Sequence, residues 1–125
     1  MDIIVTPEDV ESVWRPLTPA EHGVVTGLAR YAWLVLSHEV PGLSGRVARD
    51  QDLADLVRVE LSLAIKRVLV NPDFTRQIST TVDDSTVSRT IDQAVSSGLL
   101  YFPDDALARL RPRRRSGAFS INPSW

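Results

Sequence analysis

The nineteen residues from Asp52 to Val70, DLADLVRVELSLAIKRVLV, contain neither proline nor glycine, and the turn-forming Pro41, Gly42 and Gly45 precede them while Asn71 and Pro72 follow. An uninterrupted run of this length and apolar density predicts a central amphipathic helix. Wound at about 100° per residue, Leu53, Ala54, Val57, Leu61, Ala64, Ile65 and Val68 fall on one side. Leu56, Val59, Leu63 and Val70 form a second apolar line opposite. Asp55, Arg58, Ser62 and Lys66 occupy one polar flank, and Glu60 and Arg67 the other. A helix apolar on two sides needs cover on two sides, from its own chain or from another subunit.

The rest of the chain supplies one domain's worth of partners. With 125 residues, 43% hydrophobic and 24% charged, the composition is that of a globular domain with a real core. A formal net charge of -2 gives no global attraction to nucleic acid or anionic membrane. Charge is nevertheless segregated, with Asp2, Glu8, Asp9 and Glu11 at the start and Arg109, Arg111, Arg113, Arg114 and Arg115 near the end. The absence of cysteine removes disulfides, thiol nucleophiles and thiolate metal sites and suits a cytoplasmic protein. The acidic start predicts no signal peptide, and no apolar run approaches the ~20 residues of a membrane span.

Two helix starts are written in the same way. Thr6, Pro7 and Asp9 supply a cap, a first-turn proline and a capping-box partner for a short helix that ends by Trp14. Thr18, Pro19 and Glu21 repeat the device for a long helix running to about Glu39, ahead of Pro41. On that helix Val24, Val25, Leu28, Tyr31, Ala32, Val35 and Leu36 share the apolar half, His22, Thr26, Arg30 and Ser37 share the polar half, and Trp33 sits at the boundary. Gly23 and Gly27 are four apart, a spacing that either lets another segment approach closely or is simply tolerated. One helical turn is expected through Val47 to Arg49, with Asp50 or Asp52 capping the central helix.

After Pro72 the character changes. Ile78, Thr80, Val82, Thr86, Val87, Thr90 and Ile91 favour strands, with Asp83, Asp84 and Ser85 as the turn of a hairpin. Residues 92 to 97 suit a helical turn, Leu99 to Phe102 form an apolar group expected on the core, and Pro103, Asp104 and Asp105 start a last short helix through Leu110. RPRRRSGAFSINPSW then predicts an extended tail. The expected fold is therefore mainly α: a small helical bundle with two long helices, short flanking helices, a β-prone hairpin loop and an extended C-terminal arm. The helical domain is expected to span 1–110, with the hairpin inserted at about 75–97, and the arm to span 111–125.

No residue pattern points to catalysis. His22 and His38 are sixteen residues apart, too far for a helical metal pair, and no zinc-protease, phosphate-loop or nucleophile-elbow motif is present. The adjacent carboxylates Asp83 with Asp84 and Asp104 with Asp105 are accounted for by a turn and a helix start. No enzyme activity, metal or cofactor is expected. The tail is the best candidate site: Arg111, Arg113, Arg114 and Arg115 suit phosphates or an acidic protein surface, and Ala118, Phe119, Ile121 and Trp125 are spaced apolar anchors for a groove or sheet edge. Trp14, Trp33 and Trp125 are expected as core or interface anchors rather than base-stacking platforms.

Taken in order, PEDVESVWRPLTPAE at 7–21, VPGLSGRV at 40–47, RVLVNPD at 67–73, LLYFPDDALARLRP at 99–112 and RRSGAFSI at 114–121 give the chain a resemblance. It resembles the head-to-tail adaptor, or connector, proteins of long-tailed phages, in the version common among phages of actinobacteria. The departure lies between Thr75 and Ser97, where such proteins often carry glycine and tyrosine and this chain has ISTTVDDSTVSRTIDQAVSS.

The resemblance implies a structural virion protein, located at the head-tail interface after assembly in the host cytoplasm. Such proteins form a ring, generally of twelve copies, under the portal protein; it joins the portal to stopper and tail-completion proteins and continues the channel for genomic DNA, which passes without being read. On this expectation Arg111, Arg113, Arg114, Arg115, Phe119, Ile121 and Trp125 form a portal-binding arm, and Val82, Asp83, Asp84, Ser85 and Thr86 face the channel or a neighbouring subunit. Acidic groups there would repel DNA phosphates and limit sticking. The alternative from the residues alone is a small helical nucleic-acid-binding regulator using the arginine arm.

Overall fold

The computed structural model describes residues 1–71, 91–92 and 95–112. They form a mainly helical bundle: α1 (Pro7–Ser12), α2 (Pro19–Glu39), α3 (Leu43–Arg49), α4 (Gln51–Leu69) and α5 (Asp104–Leu110). Among the described residues there is no strand. The β-prone run from Ile78 to Thr90 lies outside them; Ile91, at its end, is helical together with Asp92, Val95 and Ser96.

Both capping boxes form. Thr6 accepts from the Asp9 N–H at 3.3 Å while the Thr6 N–H donates to the Asp9 carboxylate at 2.8 Å; Thr18 and Glu21 repeat the exchange at 3.2 and 2.9 Å. Each box satisfies two of the backbone N–H groups that a helix start leaves open. Asp50, not Asp52, caps α4 by accepting from the Leu53 N–H at 3.2 Å. The helix before it is longer than the expected single turn, because Gly42, at φ +80°, starts it already at Leu43.

α4 is the hub, packing against α1, α2, α3 and α5. Its core side holds Leu53, Ala54, Val57, Leu61, Ala64, Ile65 and Val68, all buried as expected, and Leu69 joins them. Opposite, Leu56 and Leu63 are half-buried, and Val59 and Val70 are 44% and 47% exposed. Two residues assigned to the polar flanks are instead buried: Ser62, whose hydroxyl donates to the Arg58 carbonyl at 2.8 Å, and Glu60.

The buried side of α2 is rotated from the expected stripe. Tyr31 is 45% exposed and Val35 half-buried, whereas Ala29 and Trp33 are buried. The N-terminal segment accounts for the shift: Ile3 and Val5 enter the core while Ile4 faces out. Asp2 accepts from the Trp33 indole at 3.0 Å and from Arg30 at 2.7 Å. Those two hydrogen bonds hold the Asp2 carboxyl below its usual pKa range.

The two α2 glycines differ. A Cβ on Gly27 would overlap the Ile91 side chain, so of the two readings left open for this spacing close approach applies at Gly27; around Gly23 there is open space.

Candidate functional site

The route by which the chain leaves the bundle is the best-defined feature near the expected arm. Leu100 and Phe102 point into the core and Tyr101, between them, is 51% exposed. All of Leu99 to Phe102 was expected inside; the in-out alternation turns Tyr101 to the surface. There its ring lies 4.9 Å under the Arg67 guanidinium, and its carbonyl accepts from Arg67 Nη2 at 2.8 Å. Among the described residues the buried Arg67 Nε has no hydrogen-bond partner.

Pro103 then opens α5, with Asp104 and Asp105 in its first turn, where carboxylates suit the helix dipole. That is the helix-start role expected of this acidic pair. Ala106, Leu107 and Leu110 are buried. On the outer side Arg109 reaches across to α4, donating to Glu60 from Nη2 at 2.8 Å and from Nε at 3.3 Å, and to Asp105 at 3.3 Å. The Glu60 carboxylate, helped by Asp105, raises the pKa of Arg109 above its ordinary value.

The end of α5 is also held. Arg46 of α3 donates to the Leu110 carbonyl at 2.8 Å, filling an acceptor that a helix C-terminus leaves open. The Arg111 N–H donates to Leu107 at 3.1 Å while the Arg111 backbone turns extended, at φ -73° and ψ 153°. Arg111 and Pro112 are exposed.

Of the expected arm residues, Arg111 is therefore placed at the root. Arg113, Arg114, Arg115, Phe119, Ile121 and Trp125 lie outside the described residues, as do Val82, Asp83, Asp84, Ser85 and Thr86 of the expected loop. Among the described residues no group of three His, Asp or Glu side chains is placed to hold a metal ion. No helix among them is long and apolar enough to cross a membrane. His22 lies 3.6 Å from Glu11 and is part-exposed, and His38 is exposed in the last turn of α2. Trp14 packs half-buried on the core edge, with Arg15 stacked 3.8 Å over its ring.

Arg46, Glu60 and Arg67 organise this corner, and none stood out as a site residue in the sequence. Only Glu60 carried a usable signal: it lies three residues after Val57 and four before Ala64, beside the buried stripe. Comparison with family models, curated proteins and solved structures finds no match to the chain.

Proposed function

We propose that the chain is a structural head-to-tail adaptor of a tailed phage virion. In this reading copies form a ring under the portal protein, linking it to stopper and tail-completion proteins around the DNA channel. The observation that supports it is the arm root: Arg46 of α3 holds the end of α5 and Arg109 ties its side to α4, immediately before the basic and then apolar tail sequence begins. Arginines followed by spaced apolar residues suit docking in a groove or at a sheet edge of a protein partner. The order of the matching sequence segments supplies the partner class.

The test uses purified portal rings. Removing residues 113–125 leaves Arg111 and Pro112 in place, so the cap on α5 and the body are preserved. The truncated chain is expected to lose portal attachment, measured by co-sedimentation, while unfolding at the same temperature as the full chain. Equal attachment by both chains overturns the arm assignment. The full chain is also expected to leave duplex DNA unbound at low salt; tight binding that weakens steeply with salt would favour the regulator instead.

A further inference from the structure

On the outward side of α4, Asp52, Leu56, Val59, Leu63, Lys66 and Val70 follow one another at intervals of 4, 3, 4, 3 and 4 residues. That is the spacing of the two seam positions of a heptad. Burial respects it: Asp52, Val59 and Val70 are exposed and Leu56, Leu63 and Lys66 half-buried, whereas the core stripe of the same helix is closed off by the neighbouring helices. Among the described residues Leu56 is also packed at the core edge.

We infer that this strip binds the same strip of a second copy of the chain, with the two α4 helices antiparallel. Charge decides both the occupant and the direction. The strip is acidic at its start, with Asp52 and Asp55 exposed, apolar in the middle, and basic at Lys66. Among the described residues neither Asp52 nor Lys66 takes part in an ion pair. Parallel pairing would set Asp52 beside Asp52 and Lys66 beside Lys66. Antiparallel pairing about a two-fold axis sets Asp52 against Val70, Leu56 against Lys66 and Val59 against Leu63, each layer occurring twice. The Lys66 stem then covers Leu56 of the second copy, and its ammonium reaches that copy's Asp52 and Asp55 within one turn. A single helix pair is a small interface, so the association is concentration-dependent. The inference concerns the free chain and does not depend on the adaptor reading.

Because the sequence has no cysteine, introduced thiols report on their own positions. Full-length Asp52→Cys and Val70→Cys chains are mixed and oxidised at concentrations where sedimentation velocity detects self-association. Antiparallel pairing brings positions 52 and 70 of different copies together and holds two copies of position 52 about 27 Å apart. The mixed disulfide is therefore expected in large excess over both like-with-like disulfides. Val59→Glu puts a carboxylate into each central layer from an exposed position. It should weaken self-association by about 30-fold or more while leaving thermal unfolding of the dilute chain unchanged. Lys66→Glu should weaken association too, and adding Asp52→Lys and Asp55→Lys should restore it. A chain that stays monomeric at millimolar concentration, an excess of like-with-like disulfides, or association indifferent to Val59→Glu would each overturn the inference, the last by assigning the strip to another occupant.

Discussion

Glu21 and Glu60 are both buried carboxylates, 3% and 4% exposed, and each is held by an arginine whose side chain is about half in solvent. They are built over different distances along the chain. Glu21 takes two parallel bonds from Arg15, at 2.9 Å each, and a third from the Thr18 N–H at 2.9 Å, all within six residues. Glu60 takes its bonds from Arg109, forty-nine residues away and on another helix. The first pair forms with the start of α2 itself. The second exists only when α5 has docked on α4, and it fixes where a seven-residue helix, too short to persist alone, sits on the body. Burying a carboxylate for a local start and burying one for a long-range register are thus chemically alike and structurally distinct.

The largest expected effect is that of Arg109→Ala. It leaves the Glu60 carboxylate buried without its guanidinium, and the melting temperature should fall by roughly 10 °C, with earlier proteolysis at α5. Arg15→Ala should cost less, because Glu21 keeps the Thr18 N–H; an equal loss would erase the distinction between the two sites.

Acid should act on the Glu21 site next. Burial, the largest single influence on Glu21, pushes its pKa up, but the hydrogen bonds from Arg15 and Thr18 and the Arg15 charge outweigh it and hold the carboxyl below its usual range. A carboxyl depressed in the folded state stabilises fully above its unfolded pKa, and that contribution is lost as pH falls through the folded value. Urea unfolding followed from neutral pH to below about pH 4 should therefore show Glu21→Gln with a shallower acid limb than the parent chain.

Thr18→Ala should cost about 1 kcal/mol in the same assay, chiefly through the lost cap. The smallest effect is expected for Glu60→Met. An apolar side chain of similar volume at a paired, buried site is often neutral, and it should also recover most of the Arg109→Ala loss in the double variant. A large loss from Glu60→Met would mean that the pair contributes stability and not only register.

The capping boxes explain why so much of the helix pattern was legible. Threonine, proline and an acidic third residue act within one turn, so Thr18 and Pro19 mark the start of α2 in any surroundings. Pro41 and Pro72 bound the long helices for the same local reason. What could not be read locally was which residues neighbours would cover. Tyr31, expected on the apolar half, turned outward and Trp33, read at the boundary, turned inward, where the segment carrying Asp2, Ile3 and Val5 meets α2. Nothing in the periodicity of α2 refers to that segment. At the candidate site Arg111 was legible as the start of a basic tail, while the clamp that roots it, Arg46 on Leu110, joins residues sixty-four apart with no shared motif.

The sequence by itself determined the two long helices, the two capping boxes and the two apolar lines of the Asp52–Val70 stretch, because helix period, proline geometry and capping chemistry operate within a turn or two. Only the tertiary structure decided how those lines were used. Four helices closed over the line through Leu53, Val57 and Leu61, drew Glu60 in beside it with Arg109 as its counter-charge, and left Val59 and Val70 outside. Burial is a property of surfaces brought together from distant parts of the chain, so the pattern along one helix states what can be covered and the packing states what is.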